Sequence, residues 1–159
     1  MKKLTTTLLA LFLTTTATFS DVKLGIIIGF TGPIESLTPD MAAGAELAID
    51  EVNKSGSFSM GKVSGIRADS TCIDSSAATA AAERLITSDK VNGIMGADCS
   101  GVTTAILQQV ALANGMVMVS PSATSPALST VEDNNLFLEL HHQMEGKARL
   151  LRIFCRKRE

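Results

Sequence analysis

The chain has 159 residues, of which 45% are hydrophobic, and its 14 basic and 16 acidic side chains give a formal net charge of −2. It contains neither tryptophan nor tyrosine, so side chains on which bases or sugars could stack are scarce. Six basic residues crowd the last stretch: Lys147, Arg149, Arg152, Arg156, Lys157 and Arg158. The preceding body is therefore distinctly acidic and gives no support to nucleic-acid binding.

The first 20 residues have the form of a secretory signal peptide. Lys2 and Lys3 precede a mostly apolar stretch from Leu4 to Leu13, and small residues then lead to a predicted cleavage site after Ser20. The apolar stretch is shorter than the roughly 20 residues that a membrane span needs. We therefore expect export to the periplasm, with a retained signal anchor as the alternative.

From Val22 onward, apolar runs typical of buried strands alternate with segments of helical spacing. The predicted elements in chain order are a strand over Val22–Ile28, a helix from Thr38 to Gly56, a strand over Lys62–Ala68, a helix from Asp74 or Ser75 to about Thr87, a strand over Val91–Met95, a helix from Ser100 to about Ala113, a strand over Met116–Val119 and the start of a fifth strand within Asn135–Leu140. This order predicts an α/β fold, a three-layer Rossmann-like parallel sheet with right-handed crossovers and helices on both faces.

Each predicted helix begins at a residue type that caps helices well. Thr38, Asp74 or Ser75, and Ser100 carry side-chain oxygens that accept hydrogen bonds from free N–H groups of a first helical turn. Pro39 suits the first helical position after Thr38. The sequence thus predicts an N-cap for each of the three helices.

Two polar segments, residues 95–101 and 120–126, follow the third and fourth predicted strands. They place hydroxyls and backbone N–H groups where a parallel sheet ends, and open α/β sheets hold small ligands there. Ser100 at a helix N-terminus favours an anion such as a carboxylate. Ser122 and Thr124 offer oxygens for an ammonium group, so a free amino acid or similar small carboxylate is indicated. The alternative is that Ser100 is only a cap and the second segment only a turn.

Other chemistries lack their motifs. Gly25, Gly29 and Gly32 do not have the dinucleotide-binding spacing, and no lysine follows in a phosphate-loop pattern. No serine lies in a G-x-S-x-G motif. Adjacent His141 and His142 have no further ligands at metal-binding spacing and are interpreted as surface residues. We therefore expect no catalytic residue, no metal and no cofactor.

The cysteines fit an exported protein. Cys72 and Cys99 lie in the loops after the second and third predicted strands and can pair in an oxidising compartment. Two reduced, buried cysteines are the alternative. Cys155 is left over in the basic tail, and an odd cysteine is unusual in an exported chain.

Three stretches resemble the substrate-binding proteins of branched-chain amino acid ABC transporters, the leucine/isoleucine/valine-binding family. They read KLGIIIGFTGPIESLTPDMAAGAELAIDEVN, VNGIMGADCSGVTTAI and MVSPSATSPALS, in family order, and the resemblance runs from about Val22 to Phe137. Members of this family have two α/β lobes that close over a ligand and deliver it to a membrane permease. The resemblance implies a single N-terminal lobe of a type I periplasmic binding protein, over residues 21–137.

The resemblance also implies roles for individual residues. Ser100 matches a residue that binds the ligand carboxylate, and Ser122 and Thr124 match residues that hold the ammonium and carboxylate groups. Leu37 falls where the family places residues of the side-chain pocket. Cys72 and Cys99 match a disulfide of family members. The implied partners are a branched-chain or similar amino acid and an ABC permease of the inner membrane.

After Phe137 the sequence departs from the family, which continues with text like FRTSPSDxxQG where this chain reads LELHHQ. Our hypothesis for this change is a one-base frameshift at the Phe137 codon, by which we expect residues 138–159 to be a basic tail that was not selected to pack. Its pattern still allows a helix around Gly146 to Phe154. We expect the single lobe to bind ligand weakly or not at all. A ligand-sensing receptor ectodomain is the alternative function, and an enzyme ranks third.

Overall fold

The computed structural model describes residues 21–59 and 61–140. The predicted signal peptide, the tail from His141 onward and Cys155 lie outside the described residues. In chain order the elements are β1 (Val22–Ile28), α1 (Thr38–Ser55), β2 (Val63–Asp69), α2 (Ser75–Thr87), β3 (Gly93–Gly96), α3 (Ser100–Ile106), a π-helical segment (Leu107–Ala111), α4 (Leu112–Asn114), β4 (Met118–Ser120), a 3₁₀ helix (Pro126–Ser129) and β5 (Phe137–Glu139).

The five strands form one sheet in the order β2-β1-β3-β4-β5, and every neighbouring pair is parallel. The chain first steps from β1 outward to β2, and then crosses back over β1 to add β3, β4 and β5 on the other side. The predicted α/β class and parallel sheet are confirmed. Among the described residues, no helix is both long enough and apolar enough to cross a bilayer.

The sheet divides the apolar core into two parts because successive residues of a strand point to opposite faces. On one side, which we call the α1 face, Ile26 and Ile28 of β1 pack with Ala42 of α1. On the other side, the α2/α3 face, Ile27 packs among buried residues that include Leu85 of α2 and Ile106 of α3. The prediction of helices on both faces is confirmed.

Two predicted strands begin later than expected for a clear reason. The apolar runs start at Val91 and Met116, but these residues still belong to the turns that end the preceding helices. The Val91 N–H donates to the Leu85 carbonyl at 3.1 Å, and the Met116 N–H donates to the Ala111 carbonyl at 2.9 Å. The strands therefore start two residues further on.

Of the N-caps predicted for the first two helices, the one at Asp74 is confirmed and the one at Thr38 is wrong. The Asp74 carboxylate accepts hydrogen bonds from the Ser76 and Ala77 N–H groups, as expected of an N-cap. Thr38 is instead the first helical residue of α1, after Leu37 at the N-cap position. Its buried hydroxyl donates to the Gly29 carbonyl at 3.0 Å. The side chain that was predicted to cap α1 therefore makes a tertiary contact with the end of β1 instead.

Candidate functional site

The candidate site lies at the carboxyl edge of the sheet, where β1 and β3 end side by side. The chain leaves β1 toward α1 on one face and leaves β3 toward α3 on the other. Such a reversal of direction opens a crevice between the two departing loops, and open α/β sheets bind ligands there. Gly96 makes the close approach of these strands possible, because a Cβ at this position would collide with the Ile27 carbonyl oxygen.

A buried carboxylate joins the loops that leave three strands. Asp98 is 5% exposed. Its Oδ2 accepts a hydrogen bond from the Gly29 N–H at 2.7 Å, and its Oδ1 accepts from the Ser70 hydroxyl at 3.1 Å and the Cys99 N–H at 2.9 Å. A buried charge is costly unless hydrogen bonds replace its hydration. Asp98 therefore holds the floor of the crevice, a role that the sequence analysis missed. Its position directly after a buried strand was the available signal.

The Cys72–Cys99 disulfide is present and links the loops that lead into α2 and α3. It leaves little space beside the end of β1, since a Cβ at Gly29 would lie 3.2 Å from the Cys72 Cβ and 3.4 Å from Asp98 Oδ2. The disulfide and the Asp98 carboxylate together bring all three loops to one place. The walls of the crevice are thus anchored independently of any ligand.

The structure brings Ser100 and Thr124 together, but it does not support Ser100 as the helix N-cap. Cys99 occupies that position without a side-chain cap, and Ser100 is the first residue of α3. The Ser100 Oγ instead accepts hydrogen bonds from the N–H groups of Thr124 and Ser125, both at 3.1 Å. Its lone pairs are engaged, so Ser100 contributes its hydroxyl proton as a donor. The predicted cap is wrong.

Ser122 belongs to the same cluster. Its hydroxyl donates to the Asp98 carbonyl at 3.0 Å, which leaves its lone pairs as acceptors. Beneath it, the fully buried Ser120 hydroxyl donates to the Ala97 carbonyl at 2.6 Å and accepts from the Ala123 N–H at 3.0 Å. Ser120 thereby shapes the turn that presents Ser122 and Thr124, and this contribution was also missed from the sequence.

Leu37 is not joined to this cluster. It precedes α1 on the opposite face of the sheet and is 61% exposed. Asp69, the last residue of β2, holds the loop after β1 by accepting from the Thr31 hydroxyl at 2.6 Å and the Thr71 N–H at 2.8 Å. Burial acts to raise the pKa of Asp69, but these bonds, with those from the Thr31 and Phe30 N–H groups, outweigh it and hold the pKa below its ordinary value of 3.8.

The cluster offers donors and acceptors at separate points. The free N–H groups of the first turn of α3 and the Ser100 hydroxyl are suited to a carboxylate. The Ser122 oxygen is suited to an ammonium group. Within residues 21–59 and 61–140, no three His, Cys, Asp or Glu side chains are placed to hold a metal ion. The polar groups at this edge of the sheet thus form a cluster with separate hydrogen-bond donors and acceptors.

The fold belongs to the class of α/β domains with an open parallel sheet and helices on both faces. The model of the periplasmic binding protein family matches residues 21–150 of the chain. The chain therefore belongs to the periplasmic binding protein family, a family of periplasmic proteins that bind solutes.

Similar proteins agree with this assignment. The chain is 32% identical to a Leu/Ile/Val-binding protein of Rhizobium johnstonii over 129 residues, which cover 81% of this chain and 34% of that protein. It is 30% identical to a leucine-, isoleucine-, valine-, threonine- and alanine-binding protein of Pseudomonas aeruginosa, over 69% of this chain and 28% of that protein. The chain thus spans about a third of the length of the curated relatives it matches.

Solved structures show the same lobe. The branched-chain amino acid transporter substrate-binding protein of Streptococcus pneumoniae, in complex with isoleucine, is 25% identical and aligns with a TM-score of 0.70 over 78% of this chain and 34% of that chain. An ABC transporter substrate-binding protein of Desulfitobacterium hafniense, in complex with Leu, shares the fold with a TM-score of 0.75 and 24% identity, over 87% of this chain and 39% of that chain.

Proposed function

We propose that residues 21–137 form one lobe of a solute-binding protein of an ABC importer, with the crevice holding a branched-chain or similar amino acid. The observation that supports it most directly is the cluster of Ser100, Ser122 and Thr124 at the switch point of the sheet. Relatives named for leucine, isoleucine and valine support the ligand class. On this proposal the chain catalyses no reaction.

The proposed roles follow from the hydrogen-bond directions. Ser100 donates its hydroxyl proton to the ligand carboxylate, beside the N–H groups at the start of α3. Ser122 accepts from the ammonium group, because its own proton is committed to the Asp98 carbonyl. Thr124, whose N–H is engaged by Ser100, contributes its hydroxyl. Leu37 contributes an apolar contact only to a ligand side chain that extends across the crevice from the cluster.

The remaining parts of the proposal concern the surroundings of this lobe. Residues 1–20 direct export, and the loaded protein docks on a permease of the inner membrane. One lobe supplies only one wall of the cleft, and lobe closure around the ligand is what excludes water in hinged binding proteins. We therefore propose that this chain binds its amino acid weakly, with a dissociation constant in the millimolar range, about −4 kcal/mol.

Nuclear magnetic resonance of the isotopically labelled full chain tests the site. Titration with leucine is expected to shift the amide signals of Gly101, Val102 and Thr124 in the millimolar range. Ser100→Ala should abolish these shifts, whereas the matched control Ser88→Ala, at an exposed helix end, should leave them unchanged. A folded chain without leucine-dependent shifts at these amides would refute the proposed site, and micromolar affinity would show that one lobe suffices.

A further inference from the structure

Two neighbouring residues in the loop between β2 and α2 adopt a backbone conformation that is unusual for them. Thr71 has a φ of 57° and Cys72 has a φ of 70°. This left-handed region is costly for residues with a side chain, and especially for a β-branched residue such as threonine. Cys72 is also one end of the disulfide to Cys99. We propose that this disulfide is a redox-sensitive switch: it holds the loop in its strained form, and its reduction by a dithiol releases one wall of the crevice.

The disulfide is the main restraint on Cys72. Thr71 is held by two hydrogen bonds, since its N–H donates to Asp69 Oδ1 at 2.8 Å and its Oγ1 accepts from the Asp74 N–H at 3.0 Å. Cys72 makes no hydrogen bond to any other described residue. Strained residues persist only where the surrounding structure forces them to. Breaking the covalent link to Cys99 therefore allows Cys72 to leave the left-handed region, which turns the peptide between Thr71 and Cys72.

The loop after β1 rests on this same peptide. A Cβ at Gly32 would collide with the Thr71 carbonyl oxygen, and a Cβ at Gly29 would lie 3.4 Å from the Cys72 nitrogen. Gly32 has a φ of 98°, a conformation that glycine adopts without strain, so the chain approaches the Thr71 carbonyl closely at this point. The loop after β1 is one wall of the crevice. A turn of the peptide between Thr71 and Cys72 therefore displaces that wall.

The opposite wall is held by hydrogen bonds that do not involve the disulfide. The Ser100 Oγ accepts from the N–H groups of Thr124 and Ser125. The Cys99 carbonyl accepts from the Thr103 N–H at 3.0 Å and from the Thr103 hydroxyl at 2.9 Å. Reduction removes none of these bonds. We therefore expect the switch to move the wall after β1 and to leave the hydroxyl cluster in place.

The disulfide is accessible to a small reductant. Cys72 and Cys99 are half-buried, and Ile73 beside them is 74% exposed. A thiolate of the dithiol attacks one sulfur, and the other cysteine leaves as a thiolate. The second thiol of the dithiol then displaces the first cysteine from the mixed disulfide, so that both cysteines end reduced and the dithiol leaves as a disulfide. Relief of the backbone strain favours this reaction, because strained disulfides are reduced more readily.

A redox titration of the full chain tests the strain. All variants carry Cys155→Ser, so that Cys72 and Cys99 are the only cysteines left in the sequence. In buffers of reduced and oxidised dithiothreitol, Thr71→Asn should shift the equilibrium several-fold toward the disulfide, because asparagine adopts the left-handed region more readily. Thr130→Asn is the matched control at an exposed residue with a φ of −118°, and should leave the equilibrium unchanged. An unchanged equilibrium in Thr71→Asn would overturn the proposal.

Amide signals in nuclear magnetic resonance distinguish a released wall from an unfolded chain. On reduction of the isotopically labelled chain, the signals of Gly32 and Thr71 should move or broaden, whereas those of Thr124 and Ser125 should keep their positions. Unchanged signals at Gly32 and Thr71 would overturn the proposal. Collapse of all four signals to unfolded positions would also overturn it, since the disulfide would then be a structural link only.

The effect on the ligand rests on the proposed function. Leucine should bind the reduced chain several-fold more weakly than the oxidised chain, because one wall of the crevice is displaced. Equal affinity in both states would overturn the switch and leave the proposed function intact. Binding in neither state would refute the proposed function, while the redox titration and the amide signals would still decide whether the disulfide holds the loop under strain.

Discussion

The two faces of the sheet are covered very differently. On the α2/α3 face, two helices bury Leu85, Ile106 and Met118 completely. On the α1 face, within residues 21–59 and 61–140, one helix covers β1 and the apolar surface continues to Leu138, which is exposed. The difference shows that a parallel sheet can be sealed on one side by local βαβ connections.

The carboxyl edge is where the two faces meet. Asp98 ties the loop that leads to the α1 face, through the Gly29 N–H, to the loops that lead to the other face, through Ser70 and Cys99. The candidate site therefore does not require both faces to be equally well covered. Its polar groups are held by hydrogen bonds within the edge itself.

The largest expected change in the free energy of unfolding comes from comparing a leucine on the α2/α3 face with a leucine of α1. Leu85→Ala opens a cavity in the α2/α3 core and should lower the free energy of unfolding by about 3 kcal/mol. Leu47→Ala removes a side chain that is 58% exposed on α1 and should change the free energy by less than about 0.5 kcal/mol. Urea unfolding of both variants measures the difference, and equal losses would mean that the α1 side is as tightly packed.

An intermediate effect is expected at the edge that joins the faces. Both carboxylate oxygens of Asp98 accept hydrogen bonds. Asp98→Asn replaces one of these oxygens by an NH₂ group, which cannot accept. At least one hydrogen bond is then lost, and the NH₂ group faces the donor that the oxygen had bound. The free energy of unfolding should fall by about 2 kcal/mol.

Asp50→Asn on exposed α1 is the matched control, with an expected change of less than about 0.5 kcal/mol. The two variants are compared by thermal and urea unfolding under identical conditions. Indistinguishable stabilities would contradict the role of Asp98 as the link between the loops.

The smallest expected effect is on the pH dependence of the free energy of unfolding, through one carboxylate on each side of the sheet. Glu139 lies on the same side of β5 as Phe137, which packs on the α2/α3 face. Its buried Oε1 has no hydrogen-bond partner within the described residues. Burial raises the pKa of Glu139 above its ordinary value of 4.5. The folded state then binds the proton more tightly, so the free energy of unfolding falls as pH rises from 4.5 through the raised pKa. Glu139→Gln should remove this decline and stabilise the protein at pH 7 by less than about 1 kcal/mol.

Glu46 on α1 gives the opposite sign. The hydrogen bond from Arg67 lowers the pKa of Glu46, against a weaker opposing effect of burial. Its contribution to stability is present above the ordinary pKa and is lost as pH falls through the lowered one. Glu46→Gln should therefore destabilise slightly at pH 7. The same sign for both variants in pH-dependent unfolding would contradict the contrast between the faces.

Much of the fold was predictable from local pattern. The bounds of β1 and the Asp74 cap agree with prediction because the signals are strong: a continuous apolar run, and a carboxylate before an alanine-rich helix. The roles of Thr38 and Ser100 were not predictable in the same way. Both are good capping residues in isolation, but their hydroxyls bond to groups 9 and 24 residues away along the chain.

The sequence by itself determined the alternation of strands and helices, the parallel sheet and the family to which the chain belongs, because hydrophobic period and motif order are local properties. Only the tertiary structure decided that Asp98 links three loops, that Ser100 accepts hydrogen bonds from the loop after β4, and that Leu37 lies apart from the other candidate residues. These facts depend on which strands become neighbours in the sheet. Burial and hydrogen bonding at its carboxyl edge then determine which of several possible contacts each side chain makes.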